Sequence, residues 1–148
     1  MTELSIRPIT AADHDQWHAL WQAYLAFYKT ELPEAVYANT FARILSDDTT
    51  TNGLIAVKDG VALGLVHYIF HATNWKIEPV CYLQDLFTTP ASRGQGVARK
   101  LIEAVYACAD AAGAPTVYWM TAENNYQGRM LYDQVGVKTP FIKYSRPA

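Results

Sequence analysis

The chain has few cysteines, few charges and no long apolar run. Cys81 and Cys108 are the two cysteines among 148 residues, and 18% of the residues are charged. Two cysteines are too few for a disulfide mini-protein, and their position inside patterned segments predicts buried thiols in a reducing compartment. The longest apolar runs are far shorter than the roughly 18 residues of a membrane span. We therefore expect no membrane segment and no membrane partner.

The first residues also lack the features of a secretory signal. Met1–Ser5 carries no basic residue, and no apolar stretch follows it, so we expect a cytoplasmic protein. Hydrophobic residues make up 51% of the chain, which is enough for a core and excludes a disordered tail or a fibrous repeat. At this length we expect one domain that covers residues 1–148.

Excess charge of either sign is also missing. The net charge of −2 offers no general attraction to nucleic acid, so we expect no nucleic-acid partner. Residues 1–74 carry 4 basic and 8 acidic side chains, whereas residues 75–148 carry 8 basic and 6 acidic ones. A basic second half is compatible with an anionic ligand, and an acidic first half with a cationic one.

Hydrophobic periodicity predicts the element order β-α-α-β-β-β-α-β-α-β. Thr10 and Asp13 predict a capping box at the start of the first helix. The predicted strands cover 4–9, 54–58, 61–70, 80–87, 116–120 and 141–144. The first predicted helix has its apolar residues over 17–28, the second begins near residue 33, and the last two cover 96–112 and 126–134.

Two local features predict the topology of the sheet. Asp59-Gly60 between two strands is typical of a tight hairpin, which makes those strands antiparallel. The strand–helix–strand unit over 80–120 requires a parallel pair. The sequence therefore predicts an α+β (mixed α/β) fold with a mixed, mostly antiparallel central sheet flanked by helices.

The segment from Arg93 to Ala98 carries the strongest functional signal. It joins a strand to a helix through Gly94 and Gly96, and the amide groups at a helix N-terminus attract anions. The two glycines let the backbone approach a phosphate, and Arg93 adds a cation. A dinucleotide fingerprint would need a third glycine at Arg99 and a shorter loop, and a Walker A loop would need Gly-Lys-Ser/Thr. An ordinary glycine-rich loop that caps a helix is the alternative interpretation.

The pattern Arg-x-x-Gly-x-Ala over 93–98 resembles the coenzyme A pyrophosphate loop of the GNAT acetyltransferase superfamily. Three further features fall at compatible spacings: Leu83-Gln84-Asp85-Leu86-Phe87, then Asn125, then Leu131-Tyr132. The chain is particularly similar to the spermidine/spermine acetyltransferase branch and its microbial protein and amino-acid acetyltransferase relatives. The resemblance implies acetyl-CoA as cosubstrate and transfer of the acetyl group to a primary amine. Neither cysteine lies in the loop or beside Tyr132, so we expect direct attack in a ternary complex.

The resemblance also implies roles for individual residues. Tyr132 matches the family's acid that protonates the leaving thiolate, although a packing role is also compatible with its position. The Thr88 N–H matches the oxyanion donor, and Asn125 matches a cofactor contact that is also compatible with a helix cap. The expected cofactor-binding residues are Leu86, Phe87, Thr88, Arg93, Gly94, Gln95, Gly96, Val97, Ala98, Asn125 and Tyr132.

The general base is less evident. The polyamine branch has Glu where this chain has Gln84, which is a poor proton acceptor. If the strand is regular, Asp85 lies on the same face as Leu83 and Phe87, where it is a candidate catalytic residue. His67 and His71 share a face of their strand, and histidine is a common proton acceptor in active sites. A base, a pair of polar histidines and an ordered water as proton carrier are all compatible with the sequence. A metal site is the other alternative, but no third ligand has a recognisable spacing, so we expect no metal.

The acceptor site is expected between the first helix and the catalytic strand. Its predicted residues are Tyr24, Phe27, Tyr28, Glu31 and Asp85, which suit an aliphatic or cationic amine. Candidate acceptors are a polyamine, a free amino acid, a lysine-bearing protein and an aminoglycoside. A CoA-binding regulatory module without turnover is the rival hypothesis. Phe141, Ile142 and Tyr144 are compatible either with a homodimer contact or with the last strand of the sheet.

Overall fold

A five-stranded sheet forms the centre of the described chain, residues 3–148, in a computed structural model. The strands lie in the order of the chain, and each neighbouring pair is antiparallel except β4 with β5, which is parallel. The predicted α+β fold with a mixed, mostly antiparallel sheet is confirmed. The strands are β1 (Ser5–Pro8), β2 (Thr51–Lys58), β3 (Val61–His71), β4 (Val80–Thr88) and β5 (Val117–Tyr118).

Four α-helices in residues 3–148 cover the two faces of the sheet. They are α1 (His14–Phe27), α2 (Glu34–Leu45), α3 (Val97–Ala111) and α4 (Tyr126–Val135). One apolar core joins α1 and α2 to the sheet, and it contains Trp17, Trp21 and Phe41. The other core lies under α3 and is centred on Leu101, Ile102 and Val105. None of these helices has the length and apolar composition that crossing a membrane requires.

The local predictions for the hairpin and the helix boundaries are confirmed. Asp59 and Gly60 both have positive φ, 54° and 76°, as a tight hairpin turn requires. The helices predicted over 96–112 and 126–134 are found over Val97–Ala111 and Tyr126–Val135. Cys81 is buried and Cys108 half-buried, and both thiols are free.

The strand predicted over 141–144 is wrong. Residues 137–148 contain no strand, and Phe141, Ile142 and Tyr144 are 80%, 77% and 88% exposed. β5, predicted over 116–120, is paired to β4 only at Val117 and Tyr118. Such a short edge strand offers little backbone for a sixth strand to pair with, so alternation in the sequence is not enough to extend the sheet.

An ion pair fixes the entry to α1. The Asp13 carboxylate accepts hydrogen bonds from the Thr10 N–H at 2.7 Å and from the Arg7 guanidinium at 2.7 and 2.9 Å. Thr10 and Asp13 therefore form the predicted contact at the start of the helix, through a short 3-10 turn over Ala11–Asp13. The hydrogen bonds from Arg7, opposed by burial and helped by Thr10, lower the pKa of Asp13 to about 2.

We expect Asp13→Asn to lower the free energy of unfolding by about 1–2 kcal/mol at neutral pH. This is less than the pKa shift alone would give, because Arg7 is partly exposed and solvent screens its charge. Because the pKa of Asp13 is lower in the folded protein, its carboxylate stabilises the fold fully above the unfolded-state pKa near 3.8. This stabilisation is lost as the pH falls through the folded-state pKa of about 2. Urea unfolding across this range should show the wild type and the variant converging in acid. Asp47→Asn, in an exposed turn, is the control; an equal loss there would contradict the prediction.

Candidate active site

A β-bulge in β4 shapes the candidate active site. His67 pairs with Asp85 and Tyr68 with Leu83, so Gln84 has no partner on β3. Because one extra residue reverses the alternation of a strand, Leu83 packs in the core under α3 whereas Asp85 lies on the α1 side. The expectation that Asp85 shares a face with Leu83 is therefore wrong, and it fails at the bulge.

The bulge also turns two backbone amides toward an opening in the sheet. The Thr89 N–H donates to the Leu63 carbonyl on β3 at 2.8 Å. Because alternate residues of a strand point their amides in opposite directions, the N–H groups of Leu86 and Thr88 point away from β3. On that side β5 has already ended, since its pairing stops at Tyr118. These amides are therefore available to a ligand.

The loop before α3 forms the second wall of the opening. Gly94 and Gly96 have φ of 83° and 76°, a conformation that favours glycine. The Lys100 N–H donates to the Gly96 carbonyl at 3.1 Å, so the three preceding helical amides have no acceptor within α3. Arg93 lies beside them on the cleft. Free amides, the helix dipole and a guanidinium fit the phosphates of a nucleotide cofactor.

A cleft of about 410 Å³ joins these features. The predicted residues that line it are Tyr24, Phe27, Tyr28, Leu86, Phe87, Thr88, Arg93, Gly94, Gly96, Val97, Ala98, Asn125 and Tyr132. Gln95 is not among the lining residues, because its side chain turns back to donate to the Ala91 carbonyl at 3.3 Å. Arg99 also lines the cleft, but its guanidinium donates a hydrogen bond to the side-chain oxygen of Gln134.

Tyr132 lies where the cleft meets a second, smaller cavity. This cavity has a volume of about 20 Å³ and shares four lining residues with the cleft: Tyr24, Tyr28, Leu86 and Tyr132. Burial, with a smaller contribution from Tyr28, raises the pKa of Tyr132, which keeps its hydroxyl protonated at neutral pH. A protonated phenol at the junction of two cavities can donate a proton to a group that enters from either of them.

Asn125 caps α4 at the edge of the cleft. Its Oδ1 accepts from the Gly128 N–H at 3.3 Å, and its Nδ2 donates to the Thr121 hydroxyl at 2.9 Å. The side chain therefore caps the helix and also lines the cleft. A Cβ at Gly128 would lie 2.5 Å from Asn125 Nδ2, so the close approach of the cap requires glycine at this position.

We expect Gly128→Ala to destabilise the protein by about 1 kcal/mol, although alanine ordinarily stabilises a helix over glycine. The added methyl group displaces the cap, and the affinity for CoA should fall several-fold with it. Thermal unfolding and calorimetric titration with CoA measure the two effects. In an Asn125→Ala background the same change should stabilise the protein; a loss of similar size in both backgrounds would show that the cap is not the cause.

A chain of buried hydrogen bonds lies behind the small cavity. Trp17 Nε1–H donates to His67 Nε2 at 2.9 Å, and His67 Nδ1 lies 2.8 Å from Asp85 Oδ2. All three residues are buried, and Asp85 is 7% exposed. Asp85 lines neither the cleft nor the small cavity. Sequence reasoning named His67 and Asp85 but missed Trp17, whose partner lies 50 positions away.

Glu31, another predicted acceptor residue, is exposed and lines neither cavity. Gln84 does line the small cavity.

The structure also shows an aromatic cluster that sequence reasoning missed. Tyr82 and Tyr118 stack at 4.8 Å, and His71 Nε2 lies 2.8 Å from the Tyr118 hydroxyl. The parallel pairing of β4 with β5 sets Tyr82 opposite Tyr118. His71 therefore contacts Tyr118, whereas the buried His67 contacts Trp17 and Asp85. Within residues 3–148, no group of three or more metal-ligating side chains is close enough to hold an ion.

Comparison with known proteins gives consistent matches. The profile described as "Acetyltransferase (GNAT) family" matches residues 16–137. A relative from Saccharomyces cerevisiae, "D-amino-acid N-acetyltransferase HPA3", is 40% identical over 143 residues, which are 95% of this chain and 89% of that protein. An uncharacterised N-acetyltransferase from Bacillus subtilis, YhfO, is 25% identical over 95% of each chain.

Solved structures show the same fold. The aminoglycoside N-acetyltransferase AAC(6')-Iy in complex with CoA superposes with a TM-score of 0.86 at 22% identity, covering 99% of this chain and 96% of that one. A ribosomal-protein-alanine N-acetyltransferase from Brucella melitensis biovar Abortus 2308 gives 0.82 at 20% identity, covering 99% of each chain. The profile match and the yeast relative go further than the fold: the chain belongs to the GNAT family and is an N-acetyltransferase that uses acetyl-CoA.

Proposed function

We propose that the acceptor of this N-acetyltransferase is a small amine, with the α-amino group of a free amino acid as the first candidate, and that the amine attacks directly in a ternary complex. The observation that carries this proposal is the junction of the two cavities at Tyr132. The smaller one, about 20 Å³, suits a slender group better than a bulky one. The relative at 40% identity, named for D-amino-acid acetylation, supports the same class.

The residues around the junction divide the chemistry between them. Bound acetyl-CoA would supply the thioester carbonyl and a thiol leaving group. Leu86 and Thr88 direct unpaired amides into the opening, and the Thr88 N–H is the proposed donor to the oxyanion. Tyr132 is the proposed acid that protonates the departing sulfur. Arg93 and the first amides of α3 would hold the pyrophosphate.

Direct attack is favoured because neither cysteine belongs to the site. Cys81 is buried in the core under α3, and Cys108 packs against the same core. Burial raises the pKa of Cys81 to about 11, so its thiol is a poor nucleophile at neutral pH. A covalent acetyl-cysteine intermediate therefore has no suitable residue in this cleft.

The decisive experiment is a thiol-release assay with acetyl-CoA and four classes of amine. Free D- and L-amino acids, spermidine, a lysine-bearing peptide and an aminoglycoside would be compared at equal concentration. We expect the amino acids to give the highest kcat/KM, and mass spectrometry should find the acetyl group on the α-nitrogen. Preference for any other class would overturn the proposed acceptor, while CoA binding without turnover would favour the regulatory module.

We also propose that two copies of the chain associate through the C-terminal segment, residues 137–148. Phe141, Ile142 and Tyr144 expose large apolar side chains there, and β5 leaves an open sheet edge of two residues. Large apolar side chains that are exposed together in one segment favour association. Sedimentation velocity should give a dimer, and a monomer at micromolar concentration would contradict this assembly.

A reducing compartment such as the cytoplasm is the proposed location. Cys81 and Cys108 are both free, which is usual for proteins kept in a reducing environment. Fluorescence microscopy of a tagged chain in its own cell would test this; localisation to an oxidising compartment would contradict it.

A further inference from the structure

Gly64 in β3 lies too close to neighbouring atoms for any side chain. A Cβ at this position would lie 2.8 Å from the Phe87 carbonyl oxygen and 3.2 Å from both Leu101 Cδ1 and Thr88 Cγ2. Because the first of these atoms belongs to the backbone of β4, no side-chain rotation can move it aside. Gly64 does not have a positive φ, so the close approach of two strands, and not a left-handed conformation, requires glycine here.

A β-bulge in β3 and the pairing with β4 produce this close approach. Leu63, the residue before Gly64, has no partner on β2, and a bulge twists the strand and redirects the neighbouring residues. Gly64 itself pairs with Thr88, whereas the Thr89 N–H donates to the Leu63 carbonyl at 2.8 Å. Because hydrogen-bonded and non-hydrogen-bonded pairs alternate in an antiparallel ladder, Gly64 and Thr88 form a non-hydrogen-bonded pair. In such a pair the Cα atoms approach to about 4.5 Å.

The crowded oxygen belongs to the same peptide group as the proposed oxyanion donor. A peptide group is planar, and in its trans form the carbonyl and the N–H point in opposite directions. The Phe87 carbonyl points toward β3, where Gly64 lies, so the Thr88 N–H points away from β3 into the opening. A side chain at position 64 that displaced the oxygen would therefore displace the N–H as well.

Resting on the proposed acetyl transfer with the Thr88 N–H as oxyanion donor, we propose that Gly64 is a positioning residue: the absence of its side chain lets the Phe87–Thr88 peptide aim that N–H at the oxyanion. Gly64 lines neither cavity, so it acts through this peptide and not on a substrate. An oxyanion donor stabilises the transition state only when its position is fixed in advance. A misplacement of about 1 Å can cost about 100-fold in rate.

The first test compares Gly64→Ala with Gly53→Ala. A Cβ at Gly53 in β2 would lie 2.6 Å from Ile9 Cδ1, and its three nearest atoms all belong to side chains. Both glycines lie inside strands and line neither cavity, so both variants should lose stability. We expect only Gly64→Ala to lower kcat, about 10- to 100-fold, with CoA affinity within a factor of two. An equal loss of kcat in both variants would overturn the proposal.

Infrared spectroscopy gives a readout that a loss of stability alone does not change. A hydrogen bond to a carbonyl oxygen weakens the C=O bond and lowers its stretching frequency. With acetyl-CoA that carries carbon-13 at the thioester carbonyl, this band should move to lower frequency on binding to the wild type and to Gly53→Ala. The shift should be smaller in Gly64→Ala. A full shift in Gly64→Ala would show that the N–H has not moved and would refute the proposal.

A second background separates the peptide from the side chains around it. Leu101→Val removes the Cδ1 atom that a Cβ at Gly64 would meet at 3.2 Å, but leaves the Phe87 carbonyl oxygen in place. Gly64→Ala should therefore cost less stability in this background than in the wild type, while the fold-loss of kcat stays the same. Calorimetric titration with CoA counts the folded sites, so that kcat is expressed per site. Recovery of kcat together with stability, or loss of CoA binding in both backgrounds, would contradict the positioning role.

Failure of this proposal and failure of the proposed function give different results. If no amine releases thiol in the wild type, the proposed function itself fails. If amines react but the thioester band of the wild type does not move on binding, the oxyanion donor is not the Thr88 N–H, and the role of Gly64 fails with it. If the wild type reacts and shifts the band, and Gly64→Ala does the same, the function stands and Gly64 only allows the strands to pack.

Discussion

Tyr132→Phe should lower kcat about 100- to 1,000-fold while leaving CoA binding within a factor of two. The variant keeps the ring, which packs edge-on against Trp119 at 5.7 Å between centres, and loses only the hydroxyl at the junction of the cavities. Without that proton the sulfur must leave as a free thiolate. Because the hydroxyl acts as the thioester breaks, the effect belongs to kcat and not to the dissociation constant.

The leaving group offers the sharpest check on this assignment. A thioester whose thiol is much more acidic than CoA, such as a thiophenyl analogue of the pantetheine arm, needs little protonation as it departs. Tyr132→Phe should therefore recover most of its rate with that analogue. Tyr106→Phe is the control, since its hydroxyl donates to the Val135 carbonyl at 2.7 Å, away from the lining of either cavity. A similar defect with both thioesters would show that Tyr132 only packs.

The features that sequence predicted correctly are local ones. Gly94 and Gly96 sit in a loop whose backbone conformation requires glycine, and the amides beside them are free because a helix begins there. Asn125 is a cap for the same kind of reason. Each depends on residues within one or two turns of the chain, so pattern alone was sufficient.

The parts that sequence could not supply depend on pairing between distant strands. The unpaired residue Gln84 decides on which face of the sheet Asp85 lies. Nothing in the sequence of β4 by itself shows which of its residues will have no partner on β3. The contact between Trp17 and His67 joins a helix to a strand 50 positions away. The apolar alternation over 141–144 predicts a strand, but a strand also requires a partner edge, which the described chain does not offer there.

The phosphate loop gives the second large effect. Gly96→Asp places a carboxylate where Arg93 and the first amides of α3 would receive the pyrophosphate. Like charges a few ångströms apart at a protein surface repel by several kcal/mol, so CoA affinity should fall at least about 100-fold. Isothermal titration calorimetry with CoA measures this loss of affinity. The unfolding temperature of each protein is measured as well, to show whether the variant is still folded.

The matched control lies at the other end of the same helix. Gly113 has φ of 71°, close to the 76° of Gly96, and a Cβ at either position meets nothing within 4 Å. Gly113→Asp therefore carries the same backbone strain, but its charge sits at the negative end of the helix dipole, whereas that of Gly96→Asp sits at the positive end. Stability and binding should then rank in opposite orders: Gly113→Asp is the less stable protein with normal CoA affinity, and Gly96→Asp the more stable one with weak affinity. If both variants bind CoA equally well, the anion site does not lie at the start of α3; if both lose affinity in step with stability, the loss reflects folding alone.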